Sequence, residues 1–185
     1  PRRLRRAVSG DHACHRNAGH TADDWWLVHG VHLPDDHGLH GTIIHNPRSN
    51  MNNAGGYARP RRFTGPNAIG LGTDGIGSDM LDEFRVAFVR GREHDVTLAP
   101  DEVWGWLDAG YALFPEARAD RVTWDYEPMD PWRLAYSPGV SPTRVEIAGE
   151  VGLDHGVATR VDADEIRHKA AEAAHRLFAR LENMT

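Results

Sequence analysis

The stretch Gly41-Thr42-Ile43-Ile44-His45 indicates the fold of the central part of this chain. An apolar run with β-branched side chains that ends in polar residues is typical of a strand buried in a parallel sheet. Two similar stretches flank it: Trp25-Trp26-Leu27-Val28-His29 comes before it, and Ala68-Ile69-Gly70-Leu71-Gly72 comes after it. The pattern predicts three neighbouring parallel strands in an α/β fold.

Each predicted strand has a polar side chain at or just after its carboxyl end. His29 ends the first strand, His45 and Asn46 end the second, and Asp74 follows the third. An α/β barrel builds its active site from residues at this end of its strands. The four residues are therefore candidates for a common site, although each one alone could be a cap or turn residue.

Helices are predicted after the third strand. Apolar residues recur at helical spacing over 80–89, with charged residues on the opposite side. Pro100, followed by two acidic residues, is typical of a second helix start. Trp104, Leu107 and Tyr111 are predicted to form the buried stripe of this second helix.

The C-terminal third changes to a β-like pattern and then ends in a helix. Residues 121–126 alternate as a strand does, and 144–147 are predicted to pair with 151–153 as a hairpin. A final helix is predicted to begin at Asp162, with Glu165 completing a capping arrangement. Its apolar stripe consists of Ile166, Ala170, Ala173, Leu177 and Leu181.

Composition excludes several classes of protein. The chain has 185 residues, of which 40% are hydrophobic and 26% are charged, and its net charge is −6. An acidic chain lacks the positive excess of a nucleic-acid protein, and no apolar run approaches the roughly 20 residues that span a bilayer. A single cysteine, Cys14, allows no internal disulfide. These features predict a cytoplasmic protein without nucleic-acid or membrane partners.

Histidine is unevenly distributed, and the cluster raises the hypothesis of a metal site. Eight of the twelve histidines lie between His12 and His45, and neutral imidazole is a common metal ligand. The run of His12, His15 and His20 falls in a segment without predicted structure, so we do not interpret it as a site. His32 and His45 are interpreted as histidines that are hydrogen-bonded or packed in the structure rather than as site residues.

Two strings carry a resemblance to a known family. His45-Asn46-Pro47-Arg48-Ser49-Asn50-Met51-Asn52-Asn53 closes the second strand, and Gly70-Leu71-Gly72-Thr73-Asp74-Gly75 closes the third. With His29-Gly30-Val31-His32-Leu33 before them, they resemble the amidohydrolase superfamily of metal-dependent hydrolases. The nearest branch is that of the aminohydrolases and triazine chlorohydrolases. The resemblance covers about residues 24–184.

The resemblance implies a fold and a division of the chain. It implies the C-terminal portion of a TIM-type metallohydrolase barrel, with part of a small flanking β-domain and a C-terminal helix. Residues 23–118 would be the partial barrel, 119–160 part of the β-domain and 161–185 the helix. Residues 1–22 are expected to be irregular and not native to the fold.

The resemblance also implies roles for particular residues. Asp74 is similar to the aspartate that binds the divalent metal and takes a proton from the metal-bound water, so it is the candidate catalytic and metal residue. His29 resembles the histidine beside that water, which polarises or protonates the substrate. Asn46 and Asn50 match substrate-binding positions. The alternatives are a turn for Asp74 and capping for His29 and Asn46.

The implied function is hydrolysis of carbon–nitrogen, non-peptide bonds in a small nitrogen-containing substrate by a metal-activated water. A metal lowers the pKa of its bound water, and a carboxylate beside it can carry the proton to the leaving group. Zinc is favoured over iron, and iron stays open because the two share His and carboxylate ligands.

The sequence also departs from the family pattern. It contains no His-x-His and no His-x-x-Glu string, the two motifs that supply the remaining metal ligands in the family. A complete barrel takes about 250 residues, so we expect this chain to hold about the last third of one. We expect a truncated gene product in which residues 1–22 are read from a wrong start or frame. In such a truncated chain the metal can be absent.

Three functional hypotheses follow. In the first, activity requires a missing segment, supplied by a longer native chain, a complementing chain or a homo-oligomer that covers the open barrel. In the second, the chain is an inactive fragment or an interaction module. The third, nucleic-acid binding by Arg59, Arg61 and Arg62, is the weakest, because no aromatic residues alternate with these arginines.

Overall fold

The computed structural model describes residues 25–65, 67–126 and 130–184. The histidine run 12–20 and the segment 1–22 lie outside these residues. The described chain forms two compact units, one made of residues 25–115 and 130–138 and the other of residues 116–126 and 139–184. None of the described helices is long and apolar enough to cross a membrane.

The first unit is built on a three-stranded parallel sheet. Its strands are β1 (Trp26–Val28), β2 (Gly41–His45) and β3 (Asn67–Leu71), and β2 lies in the middle. Both pairings are parallel, with Leu27 beside Ile43 and Ile43 beside Ile69. The structure therefore confirms the three neighbouring parallel strands that the sequence predicts.

A long helix follows β3 in the sequence. Helix α2 (Met80–His94) contains the predicted segment 80–89 and continues for five more residues. Its N-cap Asp79 accepts hydrogen bonds from two backbone N–H groups of the first turn. Near its end, a Cβ on Gly91 would lie only 2.2 Å from a methyl carbon of Leu98, so a larger residue at 91 would require the Leu98 side chain to move.

The next helix begins where the sequence predicts, but it buries a different face. Helix α3 (Pro100–Asp108) buries Val103 and Trp106. Trp104 makes an edge-on ring contact with Phe84 and is only partly buried. The prediction that Trp104, Leu107 and Tyr111 form the buried stripe was wrong. Helix α3 packs against both β3 and α2, which bury another face of it, and the helix ends at Asp108, before Tyr111.

Three short helices of the first unit were not predicted. They are α1 (Pro47–Asn52), α4 (Gly110–Leu113) and α5 (Pro131–Tyr136). Both α1 and α5 begin with proline at the first helical position, where its missing N–H costs nothing. Tyr111, 41% exposed, belongs to α4 rather than to α3.

The second unit has a four-stranded antiparallel sheet and a helix. Strands β4 (Arg121–Trp124), β5 (Pro142–Ile147), β6 (Glu150–Asp154) and β7 (Val157–Ala158) pair in sequence order. The predicted hairpin is present between β5 and β6, and its two turn residues, Ala148 and Gly149, both have positive φ. This is the conformation that a tight hairpin turn requires.

The terminal helix begins as predicted. Asp162 caps α6 (Ala163–Glu182) by accepting the backbone N–H groups of Asp164 and Glu165. Its apolar stripe is not covered, however, since Ile166, Leu177 and Leu181 are 52%, 53% and 48% exposed.

Candidate functional site

The carboxyl ends of the three parallel strands bring the predicted residues to one edge of the sheet. His29 follows β1, Asn46 follows β2, and Asp74 lies three residues beyond β3. Backbone hydrogen bonds extend the sheet to this edge, from the N–H of His29 to the carbonyl of Ile44 and from that of Gly72 to the carbonyl of His45. The site therefore lies where an α/β barrel carries its chemistry.

His29 and Asp74 face each other. The Nε2 atom of His29 lies 3.7 Å from Oδ2 of Asp74, and their side chains are 42% and 41% exposed. Both backbones are left-handed, with φ of 70° and 52°. Non-glycine residues adopt this conformation at some cost, and such strain concentrates at functional sites. The turn residue Ala148 has the same left-handed conformation, so these φ values alone do not separate a functional role from a turn or cap.

Helix α1 holds this pair through two consecutive side chains. The hydroxyl of Ser49 donates a hydrogen bond of 2.5 Å to Oδ2 of Asp74, and Oδ1 of Asn50 lies 2.8 Å from Nδ1 of His29. Because an amide oxygen can only accept, the Nδ1 atom of His29 carries the proton and its Nε2 atom faces Asp74. The predicted residues His29, Asn50 and Asp74 are thus joined in one network.

The network favours the carboxylate form of Asp74. The hydrogen bond from Ser49 is the main cause that lowers the pKa of Asp74, with smaller contributions from the backbone N–H of Gly75 and from His29, while desolvation opposes them. A carboxylate with a lowered pKa stays ionised and remains available as a ligand or proton acceptor.

Asn46 is buried beside this network. It is 3% exposed, and its Oδ1 atom has no hydrogen-bond partner among the described residues. A Cβ on Gly72 would lie 2.8 Å from Ile44 Cγ2 and 3.0 Å from Asn46 Nδ2, so glycine at 72 allows this packing. The Nδ2 atom of Asn50 is likewise buried without a partner. Such groups are normally paired, so the site has a spare acceptor and a spare donor.

The other histidines of this region differ from each other. His45 is fully buried and packs edge-on against Tyr57, with ring centroids 5.9 Å apart. Burial lowers its pKa to about 3, with a further contribution from His29, so the ring is neutral. His32 is exposed, and its interpretation as a packing histidine was wrong because the turn after β1 carries it away from the core.

Two residues of the site region were not singled out from the sequence. Ser49 lies inside the quoted motif, but serine after a proline is also typical of a plain helix start. Glu83 is fully buried on α2, and its carboxylate accepts from Nε of Arg48 at 2.6 Å and from the backbone N–H of Arg48 at 3.3 Å. No sequence signal distinguishes Glu83 from the charged residues on the solvent side of an amphipathic helix.

The fold brings few potential metal ligands together at the candidate site. Across 25–65, 67–126 and 130–184, no group of three or more His, Cys, Asp or Glu side chains could hold a metal ion. His29 and Asp74 supply two donors, whereas a catalytic zinc site takes three protein ligands. These residues alone do not fit a complete metal site.

Two of the three arginines of the nucleic-acid hypothesis form ion pairs with carboxylates. Arg61 pairs with Asp95 and Glu102, and Arg62 pairs with Asp35. These ion pairs reduce the charge that Arg61 and Arg62 could present to a phosphate backbone.

Comparison with known proteins relates the chain to deaminases. No protein-family model matches it. It is 27% identical, over 86% of its length, to a 5'-deoxyadenosine deaminase from Methanopyrus kandleri, and the match covers 44% of that protein. It is 37% identical, over 45% of its length, to a 5-methylthioadenosine/S-adenosylhomocysteine deaminase from Thermococcus onnurineus, with 23% of that protein covered.

Solved structures share the fold. An adenosine deaminase from Xanthomonas campestris with bound zinc has a TM-score of 0.69 and 22% identity, over 90% of this chain and 45% of that one. An amidohydrolase from Brucella melitensis has a TM-score of 0.68 and 18% identity, over 83% and 41%. The comparisons confirm the resemblance to a part of the barrel. The chain spans less than half the length of these relatives.

Proposed function

We propose that this chain belongs to the amidohydrolase superfamily and is the Asp74-bearing part of a hydrolytic deaminase. The observation that carries the proposal is the network in which Ser49 holds Asp74 and Asn50 holds His29, at the carboxyl ends of three parallel strands.

The reaction replaces an amino group on a ring carbon by oxygen, with release of ammonia. A water oxygen forms a bond to the carbon, and the carboxylate of Asp74 accepts a proton from that water. The carbon–nitrogen bond then breaks, and the nitrogen leaves with the proton that Asp74 returns. His29 lies beside the water, and because its Nδ1–H is engaged by Asn50, its Nε2 atom accepts a hydrogen bond from that water and orients it for attack. Such proton transfers contribute about 10²–10⁴-fold to rate.

The proposed substrate class is a purine nucleoside of the adenosine type. The relatives are described as deaminases of 5'-deoxyadenosine and of 5-methylthioadenosine/S-adenosylhomocysteine. The spare acceptor of Asn46 and the spare donor of Asn50 complement the alternating donors and acceptors on a purine edge. We assign substrate binding to these two asparagines.

The proposed deaminase uses a divalent metal, with zinc favoured because a structural neighbour contains it. When bound, the metal supplies acidity to a water molecule. Asp74 would hold one side of it, with His29 beside the water, and the remaining ligands would come from a further polypeptide segment. That segment belongs to a longer form of this chain, to a complementing chain or to a second copy, and it also covers the open sheet.

Ammonia release from 5'-deoxyadenosine tests the proposal. The chain is assayed with zinc, alone and mixed with a polypeptide equivalent to the preceding part of the Methanopyrus kandleri deaminase. We expect turnover only in the mixture and a decrease of about 10³-fold for Asp74→Asn, because the proton acceptor is lost. Asp154→Asn, a half-exposed carboxylate of the second unit, is the matched control and should change turnover less than twofold, within ~0.5 kcal/mol.

Three outcomes would contradict this assignment. Equal turnover by Asp74→Asn and Asp154→Asn would remove Asp74 from the reaction. One tightly bound zinc per chain in the isolated protein would show that no further ligands are required. Absence of turnover in every preparation, together with strong binding of a hydrophobic dye, would favour an inactive interaction module.

A further inference from the structure

The first turn of α1 and the buried carboxylate of Glu83 form an anchor behind the candidate site. Glu83 is fully buried and lies on α2, 35 residues after Arg48. One carboxylate oxygen accepts from Nε of Arg48 at 2.6 Å, and the other accepts the backbone N–H of Arg48 at 3.3 Å. The carboxylate therefore fixes both the side chain and the backbone of residue 48.

The next two residues along α1 are the ones that hold the site. Ser49 donates to Asp74, and Asn50 accepts from His29. Helix α1 has only six residues, and no side chain caps its N-terminus. A helix this short is marginal on its own, so the orientation of Ser49 and Asn50 depends on what fixes its first turn.

We propose that Glu83 is a positioning residue for the His29–Asp74 pair. It acts through Arg48 and α1. By holding Asn50 in place, it determines which of the two ring nitrogens of His29 carries the proton. The catalytic purpose of this positioning rests on the proposed function, whereas the geometry itself is present without substrate. In a neutral histidine, the hydrogen bonds of the ring determine which nitrogen carries the proton.

The tautomer of neutral His29, measured by ¹⁵N NMR on the full chain without metal or substrate, tests the proposal. In the unaltered protein we expect the Nδ1–H form. In Glu83→Gln the amide nitrogen cannot accept the backbone N–H of Arg48, and the charge on the pair is lost. We expect the ratio of the Nδ1–H form to the Nε2–H form to fall about three- to tenfold, the equivalent of a weakened hydrogen bond.

A matched variant separates positioning from general loss of stability. Phe84→Leu alters the neighbouring buried residue of α2, which contacts Trp104, and should leave the tautomer unchanged. If Glu83→Gln does not fold, Arg48→Lys replaces it, because an ammonium group cannot reproduce the Nε–H geometry. An unchanged tautomer in the Glu83 or Arg48 variant, or an equal change in Phe84→Leu, would overturn the inference.

This measurement is independent of catalysis. If deamination fails while the tautomer responds to Glu83, the proposed function is wrong and the positioning role stands. If deamination depends on Asp74 while the tautomer ignores Glu83, the proposed function stands and the positioning role is wrong.

Discussion

The two units of this chain are stabilised in different ways. Every buried residue of the described chain lies in the first unit, whose core includes fully buried apolar side chains such as Phe84 and Ile43 and buried polar groups such as Glu83 and His45. In the second unit no described residue is buried, and its ion pairs, such as that of Arg144 with Asp154, are half-exposed.

The difference shows where chemistry can be supported. Inside a core the effective dielectric constant is low, so a charge or an imidazole has strong effects on its neighbours and must be held precisely in place. On a surface the same groups are screened by water. The candidate site lies at the edge of the unit that has a core, and three predictions test this contrast.

The largest effect of a single substitution on stability at neutral pH is expected from a buried carboxylate. Glu83→Leu leaves the guanidinium of Arg48, which is 19% exposed, without its main partner. We expect the free energy of unfolding of the first unit to fall by about 3 kcal/mol, measured by urea denaturation followed by tryptophan fluorescence.

The matched change in the second unit is Glu146→Leu. Glu146 pairs with Arg144 at 3.5 Å between partly exposed side chains, so its loss should cost less than about 1 kcal/mol. Equal losses for Glu83→Leu and Glu146→Leu would mean that burial does not separate the two units energetically.

The second prediction concerns acid. The pKa of about 3 for buried His45 lies below its ordinary value of 6.5. As the pH falls, the His45 ring is therefore protonated in the unfolded chain before it is protonated in the folded chain. Stability from His45 is complete above pH 6.5 and is lost as the pH falls towards 3. Between these values the free energy of unfolding should decrease by about 1.4 kcal/mol per pH unit.

His45→Leu isolates this contribution, because leucine cannot bind the proton. Urea unfolding of the first unit between pH 6.5 and 4 should show the slope in the unaltered chain and a shallower one in His45→Leu. Identical slopes would show that His45 titrates normally, and the packing around β2 would then be looser than described.

The smallest effects are expected at the helix caps, where the two units use the same chemistry. Asp79 caps α2 and Asp162 caps α6, each by accepting two backbone N–H groups. Replacing either by alanine should cost about 1 kcal/mol. In Asp79→Ala the loss should lower the unfolding midpoint of the whole first unit. In Asp162→Ala it should appear as gradual loss of helix by circular dichroism, since α6 has no buried residue. A cooperative loss in both variants would contradict the contrast.

Much of the fold was predictable from the sequence because it depends on local patterns. Strand β2 has the predicted bounds, and α6 begins at its predicted cap. The buried face of α3 was not predictable, because it is selected by the directions from which β3, α2 and α5 pack on it, and the local pattern does not contain these directions. Helix α1 was missed for a related reason, since six residues are too few for a periodic pattern to show.

The sequence by itself determined the three parallel strands and the residues at their ends, His29, Asn46 and Asp74, because strand pattern and motif spacing are local properties. Only the tertiary structure decided that Ser49 holds Asp74 and that Glu83 is buried against Arg48. The reason is that a carboxylate on an amphipathic helix has the same pattern in the sequence whether it faces water or the core. Its role is fixed by the partner that the fold brings to it.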